Sequence, residues 1–401
     1  MNATPRPVWI VMAVFALAGV VFAAVSAHDF IAHLDRQVHA ITCSYVPGIG
    51  AADASGASGC HVTMMSPYSS VGRTWTWGGI PIALPALSVF VFLLLRIIGL
   101  MVAGRTGEAP AVRFLLAASL LPVLVSIGYF VLSVKVLGTV CKLCVGIYVA
   151  SLGVFLCALV AYLGARKGAP AGAALPWGHY LASFAEGVAF VVVPVVLYLA
   201  LKPAYPAEAR CGELLHPEDK YGVRLKVSDP PGGVPAIEVL DPLCPACRAM
   251  DQRLAASGLA DRLAVEMVLF PLDKACNWMV QESVHPGACA VSEAVLCGGV
   301  QANDVLAWVF ANQDGLRELG RREPGKVAGR LTAQFPALAG CVGRPEVRSR
   351  LNRSLRWTVA NSLPVLTPQL FVRGEKVCDE DTDLGLEYVL TRKLAGAPAG
   401  R

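Results

Sequence analysis

The amino-acid sequence predicts a membrane-embedded all-α helical bundle followed by an α/β domain outside the bilayer. The 401 residues are 55% hydrophobic and only 16% charged, whereas soluble proteins carry about 25% charged residues. Residues 1–203 contain 11 Lys/Arg and 5 Asp/Glu, and residues 204–401 contain the remaining 23 and 24. This distribution excludes a uniform soluble globule, a disordered chain and a nucleic-acid binder, which would need a basic stripe on its soluble part.

Five apolar stretches in the first half are long enough to cross a bilayer, since a hydrocarbon core about 30 Å thick requires ~20 apolar residues in a helix. The predicted spans are residues 8–27, 79–103, 111–134, 140–163 and 181–201. The first stretch also resembles a secretory signal, because Val25-Ser26-Ala27 has the composition of a cleavage site. Its apolar run is longer than the roughly 7–15 residues of a signal peptide. We therefore expect a retained transmembrane helix.

The short loops carry their positive charges on one side of this bundle. These residues are Arg6, Arg105, Arg113, Arg166 and Lys167. Because Lys and Arg in short loops favour the cytoplasmic side, we expect the N-terminus in the cytoplasm. The loop at 28–78 and the chain after residue 202 then lie on the opposite side.

Six of the thirteen cysteines form three pairs that this topology places on the outer side. The pairs are Cys43 with Cys60, Cys141 with Cys144, and Cys244 with Cys247. The last two pairs are CxxC motifs, and the outer side is a compartment in which disulfides persist. Two CxxC motifs can also form a four-cysteine zinc site, but an outer membrane face is a poor environment for such a cluster. We therefore expect redox chemistry and no metal.

Three motifs surround the membrane cysteines. They are Cys60-His-Val-Thr-Met-Met-Ser66-Pro-Tyr-Ser, Gly78-Gly79-Ile80-Pro81 before a span, and Cys141-x-x-Cys144 followed by Tyr148. Together they resemble the vitamin K epoxide reductase family over about residues 8–165. The resemblance implies a four-helix quinone-reductase core, a redox pair at the fourth span and a loop pair formed by Cys43 and Cys60. The spacing of the loop pair departs from the family, because a Gly/Ala/Ser-rich insert occupies residues 47–59.

The same resemblance implies a membrane quinone, ubiquinone or menaquinone, near Cys144, Tyr148 and Ser66. Cys144 and Tyr148 are four residues apart and therefore share a helix face, where a phenol can hydrogen-bond a quinone carbonyl. Tyr148 is equally well explained as an interfacial aromatic anchor. Ser66 either donates to the redox site or caps the following turn, and the sequence does not separate the two.

The soluble half resembles a thioredoxin-like fold. Its signals are a strand at 234–240, Cys244-Pro245-Ala246-Cys247 opening a helix, a strand at 263–270, Thr367-Pro368, and a strand at 369–373. Proline at the first helical turn loses no hydrogen bond. In this family a Thr–cis-Pro lies against the CxxC, so Pro368 is a predicted site residue. The mostly helical stretch between the second and third strands resembles the insertion of periplasmic disulfide donors.

Six further cysteines are predicted to form three structural disulfides. They are Cys211, Cys276, Cys289, Cys297, Cys341 and Cys378. Four of them lie in the insertion, so two bonds within it and a Cys211–Cys378 bond give the simplest arrangement, although other pairings are possible. The predicted domains are a membrane reductase-like domain at 1–165, a fifth helix with a linker at 166–233, and a thioredoxin-like domain at 234–401.

We therefore expect a multi-pass thiol oxidoreductase of a bacterial inner membrane, with its redox loops and soluble domain on the periplasmic side. Electrons would pass from exported proteins with reduced cysteines through Cys244/Cys247, Cys43/Cys60 and Cys141/Cys144 to the membrane quinone pool. One alternative is the reverse flow, as a membrane reductant or isomerase system. A second is a quinone or vitamin K epoxide reductase with the soluble domain as its electron donor. A third is a tethered chaperone, for which one span would suffice. The expected partners are exported proteins, quinones and the bilayer, without nucleic acid.

Overall fold

The computed structural model describes residues 6–34, 59–166, 177–205 and 211–395. The chain divides into two compact units. The first consists of residues 1–72 and 78–204, and the second consists of residues 73–77 and 205–401.

The first unit is helical, as predicted. Its helices are α1 (Arg6–His33), α2 (Gly59–Met65), α3 (Ala83–Val102), α4 (Ala109–Leu132), α5 (Lys142–Arg166) and α6 (Trp177–Leu201). The five long helices coincide with the five predicted spans. Helix α4 continues as a π-helix over Ser133–Leu137 and ends at Gly138, whose φ of 64° requires little strain for a glycine. Two short strands, β1 (Ser70–Val71) and β2 (Ile80–Pro81), pair antiparallel.

Six segments of the described chain are long and apolar enough to cross a membrane. Five of them are the long helices of the first unit, which make the chain a membrane protein. The sixth, Ala288–Ala311, lies in the second unit. It is broken near Gly299, and residues such as Val291 and Val305 are buried in that unit's hydrophobic core. Its apolar composition is therefore explained by core packing.

Helix α1 packs closely on α5 through aromatic rings placed over glycines. A Cβ atom added to Gly146 would lie 2.6 Å from the Phe22 ring, and one added to Gly153 would lie 2.4 Å from the Phe15 ring. Lipid provides no hydrophobic driving force between helices, so small residues that allow close approach stabilise their association. The two glycines therefore set the distance between the helices.

The second unit contains a five-stranded mixed sheet. Its strands are β3 (Leu225–Lys226), β4 (Val234–Leu240), β5 (Leu263–Leu269), β6 (Gln369–Val372) and β7 (Glu375–Lys376), in the order β3-β5-β4-β6-β7. Strands β4 and β5 are parallel and the other neighbours are antiparallel. Helix α7 (Pro245–Ser257) follows the central strand β4, and α13 (Leu386–Ala395) ends the described chain. This α/β arrangement confirms the predicted thioredoxin-like class.

The helical insertion lies between β5 and β6. It contains α8 (Ala288–Gly298), α9 (Ala302–Ala311), α10 (Gln313–Arg322), α11 (Val327–Gln334) and α12 (Pro345–Ala360). Disulfides join Cys276 to Cys289 and Cys297 to Cys341 within it. A third disulfide joins Cys211 to Cys378. The pairing is the simplest arrangement that the sequence allowed.

The second unit begins earlier than the boundary predicted at residue 234. Strand β3 lies in the region interpreted as a linker, and Leu225 pairs with Met267 of β5. The disulfide from Cys211 ties the preceding segment to the same unit. A strand of two residues leaves no periodic pattern in a sequence, which is why composition alone indicated a linker.

Candidate functional site

The first unit brings Cys60 and Cys141 into contact. Their Sγ atoms are 3.3 Å apart, and both residues are buried. Cys60 is disulfide-bonded, whereas Cys141 is a free thiol. Cys43, the predicted partner of Cys60, lies outside the described residues. A thiol in contact with one sulfur of a disulfide is the arrangement from which thiol–disulfide exchange proceeds.

Cys141 and Cys144 occupy the start of helix α5. The backbone N–H of Cys144 donates to Cys141 Sγ at 3.4 Å, and that of Val145 donates to the Cys141 carbonyl at 3.0 Å. Cys141 therefore takes the place of an N-cap residue, and its sulfur accepts one of the N–H groups that a helix start leaves unpaired. The positive end of the helix dipole lies at this sulfur.

A cavity of about 130 Å³ with mainly apolar walls adjoins these thiols. Its wall includes the predicted site residues Cys60, Cys141, Cys144, Ser66 and Tyr148. These five side chains, predicted from scattered motifs, therefore surround one space within a single unit.

Tyr148 and Ser66 face this cavity in different ways. Tyr148 lines the cavity together with Cys144, and its ring meets Phe130 edge-on at a centroid distance of 6.2 Å. The Ser66 hydroxyl donates to the Thr63 carbonyl at 2.8 Å. Ser66 thus stabilises the turn that follows α2 while lying in the cavity wall.

Asp29 is a wall residue that the sequence analysis did not identify. It lies near the end of α1 and is buried. Among the described residues of the wall, it alone carries a carboxylate. Asp29 lies two residues beyond the span predicted at 8–27, so hydropathy placed it in the outer loop and did not indicate a place in the cavity wall.

The second unit presents Cys244 and Cys247 at the start of α7. Cys244 is the N-cap residue and Pro245 follows at the first helical position. The Cys244 thiol donates to the Thr367 carbonyl at 3.5 Å. The Thr367–Pro368 peptide bond is cis, so the residues predicted to lie against the CxxC do so.

The two thiols of this pair differ in their acidity. The hydrogen bond from Cys247 lowers the pKa of Cys244 to about 6, against the opposing effect of burial and with a further lowering by the charge of His285. Burial raises the pKa of Cys247, as does its hydrogen bond to Cys244. Cys244 is therefore the more acidic thiol of the pair, and Cys247 is the one that holds its proton more tightly.

Asp241 and Gln313 hold the backbone around Cys244. The buried Asp241 carboxylate accepts the N–H of Leu243 at 2.7 Å and that of Leu272 at 2.8 Å, and it lies 2.8 Å from His285 Nδ1. The Gln313 side-chain amide donates to the carbonyl of Cys244 at 3.0 Å. His285 and Gln313 were not predicted as site residues, because the insertion brings them to the site from more than 40 residues away.

Glu238 is a buried acid beneath the CxxC. It lies on β4, and burial raises its pKa to about 8, with smaller contributions from Asp251 and Cys244. Its Oε1 atom has no hydrogen-bond partner among the described residues. The sequence shows Glu238 as an acidic residue in an otherwise apolar strand, which is an unusual position for a carboxylate.

One group of possible metal ligands occurs within the described residues. It consists of Cys211, Cys378 and Glu380. The two cysteines form a disulfide with each other, so their sulfurs do not offer thiolate ligands. The alternative of a zinc site finds no support in this group.

Comparison with known proteins gives one family match and one match to a solved structure. Residues 10–159 match the vitamin K epoxide reductase family. Among solved structures, the oxidoreductase DsbA from Xylella fastidiosa is 20% identical, with 43% of this chain and 96% of that chain covered and a TM-score of 0.28. No curated protein sequence matches significantly.

Proposed function

Because residues 10–159 match the vitamin K epoxide reductase family, we propose that this chain is a membrane oxidoreductase that forms disulfides in exported proteins and passes their electrons to a membrane quinone. The observation that carries the proposal is the 3.3 Å contact between the disulfide-bonded Cys60 and the free Cys141 thiol. This contact joins the loop cysteine to the pair beside the cavity.

The soluble pair would oxidise substrates by thiol–disulfide exchange. A substrate thiolate attacks Cys244 Sγ of the Cys244–Cys247 disulfide, and the electron pair of the broken bond moves to Cys247, which takes up a proton. The second substrate thiolate then attacks its partner sulfur and releases Cys244. Because the pKa of Cys244 is lowered to about 6, it leaves readily as a thiolate. The substrate loses two electrons and the pair gains them.

The membrane pairs would carry these electrons further. The reduced soluble pair exchanges with a Cys43–Cys60 disulfide, and the resulting Cys60 thiolate attacks a Cys141–Cys144 disulfide at Cys141. Resolution by Cys43 leaves Cys141 and Cys144 reduced. Each exchange moves two electrons and regenerates the donor disulfide.

The cavity has the chemistry that a quinone headgroup requires. A quinone bound there would accept two electrons and two protons. The walls are mainly apolar, and Tyr148 lines the cavity together with Cys144, so its hydroxyl can orient a carbonyl beside that thiol. Cys144, Tyr148 and Ser66 would hold the headgroup, while Cys141 and Cys144 lose two electrons and two protons and form their disulfide.

The acidity of Cys244 favours disulfide formation over the reverse flow. When the reduced form of a cysteine pair is stabilised as a thiolate, the disulfide form of that pair is a stronger oxidant. The positive charges of Arg105 and Arg113 further support a periplasmic position for the redox loops, with the N-terminus in the cytoplasm.

Replacing Cys144 with Ala tests the proposal. Purified full-length C144A in nanodiscs should reduce a soluble quinone analogue at least about 10³-fold more slowly than wild type, because the electron donor to the quinone is absent. Its Cys244/Cys247 disulfide should still oxidise one equivalent of a reduced peptide. Cys157→Ala is the matched control, since Cys157 is a lone partly buried thiol in the same helix. Undiminished quinone reduction by C144A would contradict the relay.

A further inference from the structure

The segment at residues 273–289, here called the clip loop, is fastened at its base in two ways. The disulfide between Cys276 and Cys289 closes it. The buried Asp273 carboxylate accepts the Gly287 N–H at 2.8 Å and the Ser283 hydroxyl, also at 2.8 Å. A buried carboxylate with several donors and a covalent closure fix a loop firmly. The clip loop is therefore a rigid element.

The clip loop presents His285 to the residues that precede the CxxC. The His285 N–H donates to the Leu272 carbonyl at 3.1 Å, and its Nδ1 lies 2.8 Å from Asp241 Oδ2. His285 is 6% exposed and Asp241 is fully buried. The Cys244 N–H in turn donates to the Asp241 carbonyl at 3.0 Å. Asp241 therefore contacts both His285, through its carboxylate, and Cys244, through its backbone carbonyl.

We propose that His285 is a positioning residue that supplies a positive charge to Cys244, and that Asp241 and the disulfide-closed clip loop hold it in place. The role builds on the proposed function, in which Cys244 is the thiolate that attacks and leaves. The CxxC itself is Cys-Pro-Ala-Cys and contains no charged side chain. A charge that stabilises the thiolate must therefore come from another part of the chain.

The charged groups around His285 are consistent with this role. They are Asp241, Cys244 and Arg317 of α10. Burial and Arg317 lower the pKa of His285, but Asp241 and Cys244 raise it by more, so the net change is upward. The imidazolium lowers the pKa of Cys244 more than the Asp241 carboxylate raises it. Without the imidazolium charge of His285, the Asp241 carboxylate would still raise the pKa of Cys244.

His285→Asn tests the proposal, because asparagine can donate to Asp241 but carries no charge. Full-length protein in nanodiscs is reduced mildly, treated with iodoacetamide across a pH series, and digested so that mass spectrometry gives the alkylation rate of Cys244 alone. The wild-type rate should be half-maximal near pH 6. In H285N we expect this midpoint to rise by about one pH unit. His216→Asn, at an exposed histidine of the same unit, should leave it unchanged.

The clip loop itself is tested by replacing both cysteines, Cys276→Ser and Cys289→Ser. We expect a shift in the same direction as in H285N but smaller, and no additional shift when the two changes are combined. An H285N midpoint equal to that of H216N, with an unchanged melting temperature, would overturn the role of His285. A double serine variant with a wild-type midpoint would overturn the role of the disulfide. Neither readout requires quinone turnover, so a failure here is distinct from a failure of the relay.

Discussion

The two cysteines of the soluble pair lie three residues apart in the sequence but have different surroundings. Cys244 caps a helix and accepts a hydrogen bond from Cys247, while Cys247 is fully buried above Glu238. Their unequal acidity therefore originates in the hydrogen bond between them, in burial, and in the charge of His285 outside the motif. The sequence identified both thiols and the cis-proline, because motif spacing is local. It did not identify His285, which reaches the site only through the folded insertion.

Glu238 lowers the stability of the folded chain near neutral pH. Its pKa is raised from 4.5 to about 8 in the folded state, so the folded chain keeps a proton that the unfolded chain releases. The stabilising effect of this proton is complete below pH 4.5 and is lost as the pH rises towards 8. At pH 7 the loss amounts to about 3 kcal/mol. Glu238→Gln should remove this dependence.

We therefore expect E238Q to melt at a higher temperature than wild type at pH 7 and at a similar temperature at pH 4.5. Scanning calorimetry of the full chain across this range measures the difference. The matched control is Glu218→Gln, which removes the same charge from an exposed position in the same unit. A constant difference between E238Q and wild type at every pH would contradict the assignment.

At the scale of elements, helix contacts determine where the membrane thiols lie. Phe22 of α1 packs in one cluster with Cys60, Cys141 and Cys144, and the same ring lies over Gly146 of α5. The packing of α1 on α5 therefore sets the environment of the sulfurs. Hydropathy predicted the helices themselves well, because a run of about 20 apolar residues has few structural alternatives to a membrane-spanning helix. Hydropathy contains no information on which faces of these helices contact each other.

Gly146→Ala should disturb the thiol site without removing any reactive group. The added Cβ would lie 2.6 Å from Phe22, so the ring or the helix must move. Displacements of about 1 Å can reduce a rate by ~10²-fold, and we expect quinone reduction to fall by about that factor. Gly128→Ala in α4 is the control, because nothing lies within 4 Å of its Cβ position. Equal rates in the two variants would show that this contact does not position the thiols.

At the scale of the whole molecule, the uneven charge distribution and the high number of cysteines both reflect a chain of two units that each carry a CxxC pair. A charge-poor membrane unit carries a thiol pair beside an apolar cavity, and an ordinary mixed-charge unit carries the other CxxC. The sequence predicted this division because each unit has its own composition. It misjudged the start of the second unit, since a two-residue strand and a disulfide depend on contacts that only the fold creates.

The direction of electron flow is a property of the whole chain, and a block at its membrane end distinguishes the two directions. In cells that produce C144A, electrons arriving from substrates would have no exit, so Cys244/Cys247 should accumulate in the reduced form. The same pair should be mainly oxidised in wild type and in the control C157A. Acid quenching followed by thiol alkylation and gel-shift analysis measures these fractions. With outward flow, C144A would instead cut the soluble pair off from its reductant, and Cys244/Cys247 would become more oxidised than in wild type.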